Sequence, residues 1–195
     1  MVTKKRKFKA STWIIIALSL SILFLMQYSC EEEMHKINTQ QLLEKSIRQQ
    51  IMIQSGNAHY FIKWFDLNLD GNKEAIVHVT GSSVCQKKKC NTYVFSWDSL
   101  KEDYLQIGKV KSSLPPIIAS PRKSKGWYNL YLYQDSSKLR SNMIGLTFNG
   151  KRYMTSKNIP SEMQDVDSPF GAPLLLPYVN YLDGLPLFNE RDTEE

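Results

Sequence analysis

Three patterns of apolar and polar positions follow one another along this chain. From Trp13 to Met26 the residues are almost all apolar, with no repeat that would separate one face from another. Between Thr39 and Ser55 the pattern becomes periodic: Leu43, Ile47 and Ile51 recur every fourth residue, the stripe of an amphipathic helix whose apolar side faces a core. Asn38 and Gln41 have the spacing of a capping box, and Gly56 follows the last periodic residue as a stop signal. Residues 31–37 then read as a polar spacer between the apolar run and this helix.

After Gly56 the period shortens to two. His59 to Leu67, Glu74 to Thr80, Thr92 to Trp97, Tyr104 to Val110, Trp127 to Tyr133 and Met143 to Phe148 are short runs rich in aromatic and β-branched residues. In the third run Tyr93, Phe95 and Trp97 alternate with Thr92, Val94 and Ser96, as in a half-buried strand. Turn signals separate the runs, Asp70-Gly71 between the first two and Asp98 to Asp103 between the third and fourth. Such short spacings leave no room for crossover helices, so an antiparallel meander is expected. Leu114-Pro115-Pro116 and Pro121 break the pattern and predict an extended edge or crossing segment. Beyond Ile159, Pro160, Pro169, Pro173, Pro177 and Pro186 mark a tail. Its apolar residues Leu174, Leu175, Leu176, Tyr178 and Tyr181 need a surface to cover, on this domain or on a partner.

The fold class expected is α+β: an N-terminal membrane segment, then one amphipathic helix packed on an antiparallel sheet. The organisation is a signal or anchor over residues 1–30, a domain over 31–158 and a Pro-rich tail over 159–195.

Charge sharpens the first piece. The net charge is +6, from 25 basic and 19 acidic residues, but Lys4, Lys5, Arg6, Lys7 and Lys9 precede the apolar run and no acid lies in the first 30 positions. The remainder holds 20 basic against 19 acidic side chains, a net of +1. So even a balance removes the long-range field of a nucleic-acid-binding protein. The basic start and apolar run instead form the first two regions of a secretory signal. The run is short beside the ~20 residues of a spanning helix, and counting from Ser11 to Ser29 brings it near the lower end of that range. Basic residues on its N-terminal side place everything after residue 30 across the membrane, in the periplasm of a bacterial cell. Cys30 sits where a lipoprotein carries its acylated cysteine, with small Ser29 before it but Gln27 in place of the usual Leu. An uncleaved anchor, with Cys30 at the membrane edge, is the second reading, and secretion after cleavage is third, since no clear small-x-small site precedes Glu31. The first two tether the domain to the inner membrane.

Cys85 and Cys90 enclose four residues in a compartment that permits oxidation, so a disulfide is expected, worth about 2 kcal/mol for so short a loop. Zinc would need two further ligands, and His35, His59 and His78 are not spaced to supply them.

The sharpest local motif is Asp66-Leu67-Asn68-Leu69-Asp70-Gly71-Asn72-Lys73-Glu74. Side-chain oxygens from Asp66, Asn68, Asp70 and Glu74, with the carbonyl of Asn72, could converge on one calcium ion. The loop resembles those of EF-hand, dockerin and FG-GAP repeats, although Val77 stands where an EF-hand has its bidentate Glu and the flanks read as strands. The plainer reading is a polar turn whose oxygens satisfy backbone amides. Together with the Cys85 to Cys90 loop, Ser124-Lys125-Gly126-Trp127 and Phe148-Asn149-Gly150-Lys151-Arg152-Tyr153, this motif resembles a group of small bacterial envelope proteins, often lipoproteins. The resemblance covers about residues 60 to 155. It implies an envelope location more than an activity.

Two basic clusters lie on predicted loops, Lys87, Lys88 and Lys89 inside the cysteine loop and Arg122, Lys123 and Lys125 before Gly126. Solvated loops are the ordinary explanation; contact with anionic headgroups or an acidic protein is the functional one. Nothing marks a catalytic triad or paired carboxylates, and His78 on the second strand reads as a core histidine. The function expected is a membrane-tethered, non-catalytic binding module, of inhibitor or immunity type, with a protein partner in the envelope and no nucleic acid. A structural envelope protein with a calcium-ordered loop is the alternative.

Overall fold

The structure is a computed structural model describing residues 10–52, 56–85, 90–134, 143–157, 171–175 and 183–188, with side chains described from residue 18 onward except 29–37 and 172. It is a mixed α+β protein with an antiparallel sheet of meander order. The chain divides into two compact units, Met1–Leu42 and Leu43–Glu195.

One helix, α1, runs from Ala10 to Ile51. This corrects the separate helix expected from Thr39. Asn38 and Gln41 lie inside α1 and cap nothing, because Glu31-Glu32-Glu33-Met34-His35-Lys36 is a run of good helix formers that carries the helix through the expected spacer. The helix ends at Ile51, before the Gly56 stop. In the first unit, Leu18, Leu20, Ile22, Leu23, Phe24, Leu25 and Met26 are each 53–71% exposed. Among the described residues no helix is long and apolar enough to cross a membrane.

In the second unit the strands are β1 (His59–Phe65), β2 (Glu74–Thr80), β3 (Cys90–Asp98), β4 (Asp103–Ser124), β5 (Trp127–Tyr133), β6 (Met143–Phe148), β7 (Tyr153–Ser156), β8 (Ala172–Leu175) and β9 (Leu185–Pro186). Their order is β7-β6-β5-β4-β3-β2-β1-β9, with β8 paired to β4. The proline segment expected to interrupt the sheet instead forms the middle of a 22-residue strand. β4 pairs with β3 as far as Ser113 and with β5 from Leu114 onward, with register shifts at Leu114/Ile117 and Ala119/Lys123. Proline cannot donate to a ladder, so it is placed where the strand changes partners. Two pieces of the segment past residue 159 also lie in this sheet: β8 pairs along Ile117–Ala119 of β4 and β9 along His59 and Tyr60 of β1.

The two halves of the sheet share a core. Ile76 and Val94 from the first half pack with Leu130, Leu132, Ile144, Leu146 and Phe148 from the second. All seven residues of β2 are buried, so its near-continuous Ala75-Ile76-Val77-His78-Val79 run reflects cover on both faces. The opposite face of the first half meets the end of α1. Leu43 and Ile47 are fully buried there, Tyr60 donates its hydroxyl to Glu44 Oε1 at 2.6 Å, and Ser46 donates to Asp103 Oδ1 at 2.8 Å. Full burial of two such aliphatic side chains contributes about 2 kcal/mol each.

Candidate functional site

Topology gathers the charged loops at one end of the second unit. In an antiparallel meander the β1–β2 and β3–β4 turns fall at the same end, and Ser46 of α1 meets Asp103 there. The β4–β5 turn joins them, because the amide of Tyr128 donates to the carbonyl of Leu67 at 2.8 Å and the Tyr128 ring meets Phe65 edge-on at 5.9 Å. The β6–β7 turn lies beside the β4–β5 turn: Trp127 stacks on Phe148 at 4.3 Å, and the Tyr153 hydroxyl donates to the Tyr128 carbonyl at 2.8 Å.

The Asp66 loop turns its oxygens onto itself. Asp66 Oδ1 accepts from the amides of Leu69 and Asp70 at 2.7 and 3.2 Å, and its Oδ2 accepts from Gly71 at 2.9 Å. Asn68 Oδ1 accepts from the Asp70 amide, while Asp70 Oδ1 accepts from Asn72 and Oδ2 from the Asn68 side chain. The bond from the Asn72 amide, then that from Asn68, holds the Asp70 carboxyl below its ordinary value. Leu69 and Gly71 sit at φ 63° and 92°, a backbone path that suits Gly71 and that the Asp66 bonds hold at Leu69.

Glu74 does not join the other oxygens. It is buried on β2, where Oε2 accepts the Leu67 amide at 2.8 Å and Oε1 the Ser96 hydroxyl at 3.3 Å. Burial pushes its pKa up to about 7 against those two bonds, with the charges of Asp70 and Asp66 adding to the rise. Among the described residues no group of three or more His, Cys, Asp or Glu side chains is gathered to hold a metal ion.

The basic turns face outward. Ser124 pairs with Trp127 across a two-residue turn in which Lys125 and Gly126 both have positive φ, 53° and 86°. That is the type I′ geometry, in which Asn or Gly is the usual first residue and lysine is strained. Lys123 lies over the Tyr128 ring, its Nζ 4.4 Å from the centroid. In the neighbouring turn Asn149 Oδ1 accepts the amides of Lys151 and Arg152, both at 2.9 Å, which fixes the backbone of those two exposed residues. Among the described residues Lys125, Lys151 and Arg152 make no ion pair. In the sequence Lys151 and Arg152 stand in a separate motif, more than 20 residues from Arg122, Lys123 and Lys125. The signal that groups them was the pair of strands between the two turns, β5 and β6, whose single reversal returns the chain to the same end.

The remaining expectations separate. Cys85 and Cys90 form a disulfide, with Cα atoms 4.5 Å apart. Lys87, Lys88 and Lys89 lie outside the described residues, and so does the side chain of Cys30. His78 is buried, its Nδ1 2.9 Å from Thr92 Oγ1, which in turn meets Ser113 Oγ at 2.8 Å. Burial lowers its pKa to about 4, so it is neutral at pH 7. Burial also raises Tyr153, with the Glu74 charge adding to the effect. A cleft of about 100 Å³ lies between the end of α1 and the sheet, lined by Gln50, Ile51, Val79, Val84, Asn91 and Lys109, too small for most organic ligands. No protein-family model matches the chain, and neither does any curated protein or solved structure.

Proposed function

We propose that this chain is a membrane-tethered, periplasmic binding module that masks a partner protein in the envelope, as an inhibitor or immunity-type protein does. The observation that carries the reading is where the polar chemistry lies. The groups with the largest pKa displacements, Glu74, His78 and Tyr153, are buried and committed to structural bonds, while the exposed turns present cations. An apolar helix exposed on all sides at Leu18–Met26 supports the tether, since such a helix belongs in a protein core or a membrane. The Cys85–Cys90 disulfide supports a compartment outside the cytoplasm.

The test is crosslinking and capture of the full chain from its own envelope, followed by an activity assay on what is captured. Truncation after Ile159 would remove β8 and β9 from the sheet, so variants keep the whole chain. One captured enzyme, silenced by the wild-type protein, is the expected result. No specific partner, or a partner whose activity is unchanged in the complex, overturns the reading.

A structural envelope protein with calcium at Asp66, Asn68, Asp70, Asn72 and Glu74 is the second reading. It draws on the crowding of Asp66, Asn68 and Asp70 oxygens in one short loop. It requires Asp66 to turn from its three amides and Glu74 to leave its buried position.

A further inference from the structure

We infer that Arg122, Lys123, Lys125, Lys151 and Arg152 form a single contact surface whose partner is an acidic face of a protein. The inference rests on the reading of the chain as a protein-binding module and assigns the side of the molecule that binds. Two of the five residues, Lys151 and Arg152, come from a different hairpin. They join the others because Trp127 stacks on Phe148 and Tyr153 bonds to the Tyr128 carbonyl, locking the two turns side by side.

Three features distinguish this surface from an ordinary solvated loop. The turns are rigid: one closes on two residues, and the other is held by Asn149. A rigid display of cations loses little conformational entropy on binding. Next, Lys125 occupies a left-handed position at φ 53°, where asparagine or glycine would fit at lower cost, so a cation is held there against backbone preference. Finally, Lys123 holds its Nζ over the Tyr128 ring, which pre-orients it and sets an aromatic ring in a patch that also carries Arg122 and Arg152, and aromatic and arginine side chains are the ones enriched at protein interfaces.

The neighbouring β1–β2 loop decides between a protein and a lipid surface. Through the contacts of Tyr128 with Phe65 and Leu67, which flank Asp66, that acidic loop adjoins the β4–β5 turn. A uniformly anionic bilayer would repel those carboxylates as it attracted the bases. A protein face can place acids opposite the cations and bases opposite Asp66 and Asp70, and such patterned charge gives orientation as well as attraction.

The experiment uses the full chain in nanodiscs of zwitterionic phosphatidylcholine, with a fluorescent acidic peptide in which a run of glutamates is followed by two lysines as probe and anisotropy as readout. The wild type binds, and more weakly as salt is raised. Reversing Lys125, Lys151 and Arg152 to Glu lowers affinity about tenfold or more, whereas reversing Lys87, Lys88 and Lys89 lowers it less than about threefold. Equal losses for the two sets, or an unchanged affinity, overturn the assignment. So does recruitment of vesicles containing phosphatidylglycerol through these residues without peptide binding, which would make the surface a lipid contact. The single variants Lys125→Ala and Arg152→Gln repeat the measurement with minimal risk to folding. An envelope enzyme captured equally by the wild type and the triple variant would sink this surface and leave the inhibitor reading. Peptide binding through these residues with no enzyme captured would do the reverse.

Discussion

The acidic β1–β2 loop and the basic β4–β5 and β6–β7 turns are neighbours with opposite dispositions. In the first, each carboxylate oxygen of Asp66 and Asp70 accepts a hydrogen bond from its own loop, and Glu74 is drawn inside to clamp the Leu67 amide. In the second, Asn149 satisfies the amides of the β6–β7 turn, and Lys125, Lys151 and Arg152 are left facing solvent. An acid in a sequence is therefore a poor guide to the hydrogen-bonding capacity on offer. What matters is whether the backbone of the loop consumes it, and a long loop of eight residues between Phe65 and Glu74 has more amides to satisfy than a turn of two.

The strongest way to break the contrast is through Glu74, the one acid of the motif taken into the core. An unfolded Glu ionises near 4.5 and this one near 7, so between those values the folded protein holds a proton that the unfolded chain has released. Stability from this group is therefore lost as pH rises from 4.5 to about 7, by a total on the order of 3 kcal/mol. His78 runs the other way. Its pKa falls from 6.5 to about 4, so its contribution is fully present above 6.5 and is lost as pH drops towards 4, by a similar amount. Over the shared window the two slopes oppose each other, and the wild-type melting temperature stays nearly level. Glu74→Gln unmasks a stability that rises with pH; His78→Gln unmasks one that falls. Level profiles in both variants would show that neither group is buried as described.

Next in size is Asp66→Ala, which strips the Leu69 and Gly71 amides of their acceptor and leaves the Asp70 amide with Asn68 alone. A loss of about 2–3 kcal/mol is expected, or roughly 5–10 °C in the melting temperature of a domain this size. Asp66→Asn, keeping one acceptor oxygen, should fall between. A loss under about 0.5 kcal/mol in Asp66→Ala would mean that water serves the loop equally well.

Much of this architecture was legible in the sequence, and the parts that were not have identifiable causes. β2, β5 and β6 are found where alternation and β-branched content predicted them, since hairpin partners on both sides demand those residues. The Asp66 motif showed that a turn was required but could not show which atoms its oxygens meet, because calcium and backbone amides ask for the same acceptors. The helix start was missed because Asn38 and Gln41 imitate a cap that Glu31 to Lys36 override. β4 was cut short at Val110 because Pro115 and Pro116 are read as breakers, whereas a strand moving from one partner to another has positions that need no donor.

On the basic side, Lys125→Asn sharpens the contrast by separating stability from binding. Asparagine tolerates the left-handed backbone that lysine resists, so the variant should be more stable by about 0.5–1 kcal/mol while binding acidic peptide more weakly. A gain in stability with undiminished binding would show that the strained lysine serves no contact. Arg152→Gln changes no backbone preference, and its stability should lie within about 0.5 kcal/mol of the wild type.

The smallest effect expected is that of calcium. A stabilising ligand raises stability by RT ln(1 + [L]/Kd), so at one hundred times the dissociation constant the gain would be about 2.7 kcal/mol. Against it stand the three amide bonds of Asp66 and the two bonds of Glu74, most of which the ion would have to replace. With Glu74 holding a proton up to about pH 7, the ion would also have to displace that proton in any neutral or acidic buffer. Millimolar calcium should therefore shift the melting temperature by less than about 1 °C at pH 6. Raising the pH to 8 removes the proton from Glu74 but not the hydrogen bonds, so the shift should remain small there too. A rise of several degrees at pH 8 that vanishes at pH 6 and in Glu74→Gln would promote the calcium-ordered hairpin over the self-satisfied turn. It would also make the acidic loop, and not the basic turns beside it, the outward-facing chemistry of this end of the domain.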